Sequence, residues 1–209
     1  MSITNNLIPS QEFVCTVNDE FQLAEISDPE HTGVTFASSN PNLISVDKTG
    51  KVKVIGFQNY GDFALTLPKV IASLDGKVIA KYGFSIVGKG AFTKGEGKDA
   101  QTYDCHICTY EKKYQDGKQN VSVYIGTDCE TEFTISLSCT GDEFSWQEAQ
   151  FEGSGYGPLF ENPEKFYNNS PKLDLAVDGY IISVKLTAES DDGEKISIDY
   201  YGPMTFLPF

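Results

Sequence analysis

Ser38-Ser39-Asn40-Pro41-Asn42-Leu43-Ile44-Ser45-Val46-Asp47-Lys48-Thr49-Gly50-Lys51-Val52-Lys53-Val54-Ile55-Gly56 is the stretch whose pattern decides the fold of the first part of this chain. The polar cluster 38–42 breaks any preceding element, and Asn40-Pro41 favours the start of a turn. Leu43 to Val46 is a short β-prone run. Asp47-Lys48-Thr49-Gly50 carries turn chemistry, with Gly50 free to adopt a positive φ. From Lys51 to Val54, polar and apolar residues alternate as a half-buried strand requires. The stretch therefore predicts two short strands around a tight turn.

The same residues resemble the signature of the bacterial immunoglobulin-like domain, group 2 (BIG2), in which a Ser-Ser-Asn-Pro turn leads to Val-Asp-x-x-Gly-Lys-Val. The resemblance extends upstream to Glu20-Phe21-Gln22-Leu23 and Val34-Thr35-Phe36, where Phe36 replaces the usual Trp. Downstream, Gly61 to Leu67 is similar to the family's Gly-x-x-x-Ile-Thr strand. Lys69 to Ala72, Asp75 to Ala80 and Tyr82 to Val87 complete the series. The resemblance covers residues 11–88 and implies a small Greek-key sandwich. Short alternating strands at close intervals point the same way.

Beyond it, Gly88 to Lys98 holds four glycines and three lysines, and residues 89–98 are expected to be a flexible linker. Residues 1–10 look like an N-terminal arm. In 99–209, Asn120 to Ile125, Glu132 to Cys139, Tyr180 to Ala188 and Lys195 to Tyr201 have strand patterns. Asp192-Gly193 between the last two is a hairpin signal. Gly153 to Ser170, rich in Gly, Pro and Asn, is expected to be a long loop. The whole chain thus reads as all-β: an immunoglobulin-like sandwich followed by a second β-rich domain. Cys139, Trp146 and a late Asp-Gly-Tyr pair are similar to a second immunoglobulin-like sandwich, although Val184 stands where a second cysteine would be expected.

Charge excludes one class of function. Residues 11–88 carry nine acidic residues against six lysines; residues 95–209 carry twenty-one against eight, and the chain has no arginine. Nucleic-acid binding needs a basic face and leans on guanidinium forks, so it is not expected. No apolar run is long enough for a membrane helix, and no membrane insertion is expected. Met1 to Leu7 lacks a basic segment followed by an apolar core, so no secretory signal is expected.

Cys105-His106-Ile107-Cys108 is the sharpest local motif. Two cysteines at this spacing can clamp a metal from a turn, and Cys129 and Cys139 are the candidates to complete a four-thiolate zinc site. Against it, Cys129 and Cys139 are far apart in sequence, and Cys139 shares the apolar face of a strand with Phe133, Ile135 and Leu137. Buried, reduced thiols are the simpler expectation, and Cys15 is expected in a core. Asp191, Asp192 and Glu194, with Asp178 and Asp199, could gather around calcium, but a solvated hairpin turn explains them too. Trp146, Phe151, Tyr156, Phe160, Phe166 and Tyr167 could form a sugar-stacking platform or close a core. No nucleophile has a base in reach, no paired carboxylates stand out, and neither enzymatic activity nor a cofactor is expected.

The C-terminal run holds Tyr201, Met204, Phe206, Leu207 and Phe209 and is too apolar to be left in water, so these are interface candidates, against the chain's own fold or a neighbour. With the acidic balance and the apparent lack of an export signal, the resemblance implies a non-enzymatic auxiliary or decoration protein on the capsid exterior of a tailed bacteriophage. Its partners would be the major capsid protein or other virion subunits, with host-surface or mucus glycans as a further class of ligand. The alternatives are a bacterial surface adhesin or carbohydrate-binding module, and a tail or neck component.

Overall fold

The computed structural model describes residues 10–23, 33–59, 67–115, 117–127, 132–140, 150–157, 159–160 and 165–206, and these are nearly all β. They divide into two compact units, with the boundary in the chain between Val87 and Gly88.

The first unit is a sandwich of two small sheets. One contains β1 (Ser10–Cys15), β7 (Lys77–Ile86), β6 (Lys69–Leu74) and β3 (Thr35–Ser38), in that order. The other contains β2 (Glu20–Gln22), β5 (Lys51–Val54) and β4 (Ile44–Val46). Strand β1 runs parallel to β7, and the remaining pairs are antiparallel. Alternation sets the two faces: Val52 and Val54 are fully buried while Lys51 and Lys53 are exposed. Phe13 and Phe84 stack at 5.2 Å, and Phe21 of the other sheet reaches Phe13 at 5.3 Å. Cys15 is buried in this core, as the sequence suggests.

The opening stretch folds as its pattern demands. Ile44 to Val46 pairs with Val52 to Val54, and Gly50 has φ 78°. Asp47 organises the turn: its Oδ1 accepts from the backbone of Thr49 (2.8 Å) and Lys51 (2.9 Å) and from the Thr49 hydroxyl (2.7 Å). These bonds favour the ionised carboxylate and hold its pKa below the ordinary aspartate value. Gly50 has a second role, because a Cβ there would lie 2.9 Å from the Phe36 ring. The turn and the aromatic residue beneath it are therefore fitted to one another. Asp75 (φ 50°) and Gly76 (φ 76°) make a two-residue turn of the type that matches strand twist. The expected strand over Gly61 to Leu67 lies outside the described residues, apart from Leu67, and so do residues 1–9 of the expected arm.

The second unit is built on one large sheet. A meander of β9 (Gln101–Gln115), β10 (Lys118–Thr127), β11 (Glu132–Thr140), β12 (Gln150–Tyr156) and β13 (Lys165–Phe166) forms one side. On the other side β8 (Lys89–Lys94) leads to β16 (Lys195–Pro203), β15 (Ile181–Glu189) and finally β14 (Asn169–Asp178). The sheet cannot be flat. Phe92 on β8 and Phe133 on β11 are three strands apart, about 14 Å in a flat sheet, yet their rings lie 6.0 Å apart. Rolling places Phe92, Phe133, Phe160 and Tyr167 in one aromatic cluster with Val123, Ile135, Val184 and Ile198.

Two expectations are corrected. Residues 89–94 are not a flexible linker but a strand, hydrogen-bonded on one side to β9 and on the other to β16. The glycines here serve close approach: a Cβ on Gly90 would lie 2.7 Å from the Asp199 carbonyl, and one on Gly88 would meet the Tyr200 hydroxyl. Nor is 153–170 one long loop, since Gly153 to Tyr156 lies in β12 and Asn169 opens β14. There too glycine makes room, because a Cβ on Gly155 would run into the Phe160 ring.

The strand assignment of residues 89–94 has a direct test. Gly90→Val should destabilise the second unit by about 2 kcal/mol or more, because the clash is with backbone. Thermal or denaturant unfolding followed by circular dichroism would read this, whereas a linker glycine would tolerate the change.

Candidate functional site

Cys105 and Cys108 are three residues apart on one strand and should point to opposite faces. Both are buried, at 0% and 2% exposure. The cause is a bulge. Ile107 pairs with Gly126 and Cys105 with Thr127, which leaves His106 with no residue opposite and returns Cys105 to the inner face. The His106 Nδ1 lies 3.3 Å from the Gly88 carbonyl oxygen. Burial, reinforced by the neighbouring Cys105 sulfur, pushes the Cys108 thiol up to about 12. A metal-binding or nucleophilic cysteine must be a thiolate, and this environment disfavours that form.

Cys139 is buried as well, but at the opposite end of β11. Cys108 pairs with Ile125, Ile125 with Phe133, and Cys139 lies six residues farther along, about 20 Å at ~3.4 Å per residue. The structure therefore does not bring Cys139 to Cys105 and Cys108. Cys129 lies outside the described residues. Among the described residues, no group of three or more His, Cys, Asp and Glu side chains is placed to hold a metal ion.

Among the described residues, the densest polar constellation surrounds the turn between β15 and β16. Ser190 shapes that turn, because its hydroxyl donates to Asp192 Oδ1 and accepts from the backbone N–H of Glu194 (3.0 Å). Lys165 on β13 reaches Asp192 Oδ2 at 2.9 Å and Glu194 Oε1 at 3.2 Å. Lys94 on β8 reaches Glu194 Oε2 at 3.3 Å and donates to the Leu159 carbonyl at 2.7 Å. The buried Tyr167 donates its hydroxyl to Glu194 Oε1. Both lysines also lie over aromatic faces, Lys94 over Phe160 at 5.6 Å and Lys165 over Tyr167 at 5.9 Å. This is where the sequence offered a calcium site. Two of its carboxylates, Asp192 and Glu194, are instead taken up by lysines that no local motif could have revealed. Asp191 accepts from Asn169 Nδ2 at 3.1 Å.

Electrostatics match the geometry. Hydrogen bonds from Ser190 and Lys165 hold Asp192 down to about 2. Burial pushes the Glu194 carboxyl up, but hydrogen bonds from Tyr167 and Lys165 and the charge of Lys94 outweigh it, so its pKa is lowered. Burial likewise pushes Lys165 down, and its bonds to Asp192 and Glu194 outweigh that and raise it. Burial and then the Glu194 hydrogen bond raise Tyr167, which therefore stays protonated well into the alkaline range. Four groups are each held in one protonation state, which suits a clamp and not proton transfer.

The C-terminal interface candidates separate. Met204 is 6% exposed and belongs to the unit's own core, so it is not available to a partner. The backbone of Phe206 lies in β17 (Thr205–Phe206), which pairs in parallel with β9 opposite Tyr110. Tyr201, on the outward face of β16, remains 53% exposed. Leu207 and Phe209 lie outside the described residues. Of the aromatic platform residues, Phe160 and Tyr167 are buried in the core while Tyr156 and Phe166 are exposed. Trp146 lies outside the described residues. A buried carboxylate that sequence patterning missed, Glu111, accepts from the Tyr124 hydroxyl at 3.3 Å and pairs with Lys113. No protein-family model, curated protein or solved structure matches the chain.

The clamp gives the second unit an acid dependence of known sign. Asp192 and Glu194 have folded pKa values below their unfolded ones. Their contribution is complete above the unfolded values of about 4 and is lost as pH falls through the folded ones, towards pH ~2. Glu194→Gln should lower unfolding free energy at neutral pH by about 1–2 kcal/mol. It should also flatten the stability profile between about pH 4.5 and pH 2, as read by denaturant titrations across that range.

Proposed function

We propose that this chain is a non-enzymatic structural protein of a bacteriophage virion, an auxiliary or decoration protein on the capsid exterior. It docks on the capsid through one unit and displays the other. The observation that carries this reading is the first unit. Its BIG2-like stretch, Ser38 to Gly56, forms a strand, turn and strand inside a two-sheet sandwich, with Phe36 packed on Gly50 where the family has its aromatic residue. Modules of that kind serve display and attachment.

The second unit supports the reading. Among its described residues, Cys105, Cys108 and Cys139 are buried, and the carboxylates of its β15–β16 turn are bound by its own lysines and asparagine. These groups hold the fold. The chain's net charge of −14 favours a position away from packaged nucleic acid. The major capsid protein or a neighbouring virion subunit is the expected partner.

Mass spectrometry of purified particles, with electron microscopy to locate the protein, tests this proposal. The expected result is the protein in stoichiometric amounts on the capsid surface. Its absence from particles and recovery with the cell envelope would overturn the proposal in favour of an adhesin. Density in the tail or neck would overturn the capsid assignment alone.

A further inference from the structure

The large sheet ends in an exposed edge. Strand β14 (Asn169–Asp178) pairs with β15 on one side, and no other strand among the described residues lies along its outer side. Ten residues is long for an unprotected edge, which presents a row of unpaired backbone donors and acceptors to any compatible strand. Its first residues are blunted: Ser170 has φ 47°, Pro171 lacks an N–H, and the register shifts between Asn169 and Lys172. From Lys172 to Asp178 the backbone has no proline, positive φ or register shift, and edge protection is left to the charges of Lys172, Asp174 and Asp178. Leu173 and Leu175 lean on the core, and Val177, on the same face, is 40% exposed.

We propose that β14 is a homodimerisation edge, pairing antiparallel with β14 of a second copy of this chain about a two-fold axis at Leu175. The sequence of the edge selects this register. A two-fold axis perpendicular to the sheet keeps like faces together, so residues of the same parity must lie opposite one another. Centring on Asp174 would oppose Asp174 to itself. Centring on Leu173 would place Pro171 within the new ladder, and centring on Ala176 would oppose Asp174 to Asp178. Centring on Leu175 pairs Lys172 with Asp178 at both ends and Asp174 with Ala176 between them. On the core-facing side it sets Leu175 against Leu175 and Leu173 against Val177, which covers the exposed valine. Opposite charges and apolar pairs across strands each stabilise a ladder, and like charges directly opposite destabilise it. Lys172 and Asp178 are both exposed, and neither has an ionic partner among the described residues of its own chain. The proposal does not depend on a virion location.

Sedimentation of the full chain over a range of concentrations tests it. The wild type should show a monomer–dimer equilibrium. Lys172→Asp places two like-charged pairs in the ladder, and Asp178→Lys does the same with the opposite sign. Each should weaken dimerisation about tenfold or more. The double variant K172D/D178K restores opposite charges across the axis and should recover most of the wild-type affinity. Since both side chains are exposed, loss of folding does not confuse the comparison, and circular dichroism verifies it. A wild type that stays monomeric up to about 1 mM would overturn the proposal. So would a dimer whose affinity is the same in K172D as in wild type, or a double variant no tighter than the singles.

Discussion

One face of the large sheet carries nearly all of its apolar side chains, and a face of that kind cannot be left in water. Val121, Val123, Ile125, Phe133, Ile135, Leu137, Val184, Leu186, Ile196 and Ile198 all point to it. No helix of the described residues packs on that face, so the sheet buries it by rolling on itself. Much else follows from that constraint. Rolling brings Phe92 against Phe133 and carries β13 towards the β15–β16 turn. The charges of Lys94, Lys165, Asp192 and Glu194 then meet where β8, β13 and that turn converge. Partial burial makes the pairs of Glu194 with Lys94 and Lys165 worth more than exposed ones, and Tyr167 ties them to the aromatic core.

The first unit was legible because its signals are local. Asp47 to Gly50 is a turn by composition, Lys51 to Val54 alternates, and Asp75-Gly76 is a two-residue turn. None of these needs information from elsewhere in the chain. The second unit was legible where alternation is strict, as in Phe133, Ile135, Leu137 and Cys139. It was misread where a glycine serves packing and not flexibility. Gly88 and Gly90 sit against Tyr200 and Asp199, more than a hundred residues away in sequence, and nothing near residue 90 reveals those neighbours. The bulge at His106 hid the facing of Cys105 and Cys108 for a similar reason, since it is defined by register with β10.

The candidate site shows the same division. Asp191-Asp192-Gly193-Glu194 was readable as a turn with carboxylates. Its cations, Lys94 and Lys165, come from residues about 100 and 30 positions earlier and are delivered by the roll of the sheet. Spacing rules for metal loops operate within one short segment and had no means of finding them. Cys105 and Cys108 in the core, and Asp192 and Glu194 in the clamp, are therefore parts of the scaffold. Among the described residues, this acidic chain also presents a long edge strand, β14. The proposed structural role in a larger assembly accommodates both features.

The most direct test of the rolled sheet is a nuclear Overhauser measurement between the aromatic protons of Phe92 and Phe133. Rings with centroids 6.0 Å apart should give clear cross-peaks, together with contacts from Phe160 to both. Absence of the Phe92–Phe133 contact, with the β8–β9–β10–β11 ladder intact, would mean that the sheet is open and would contradict this description of the fold.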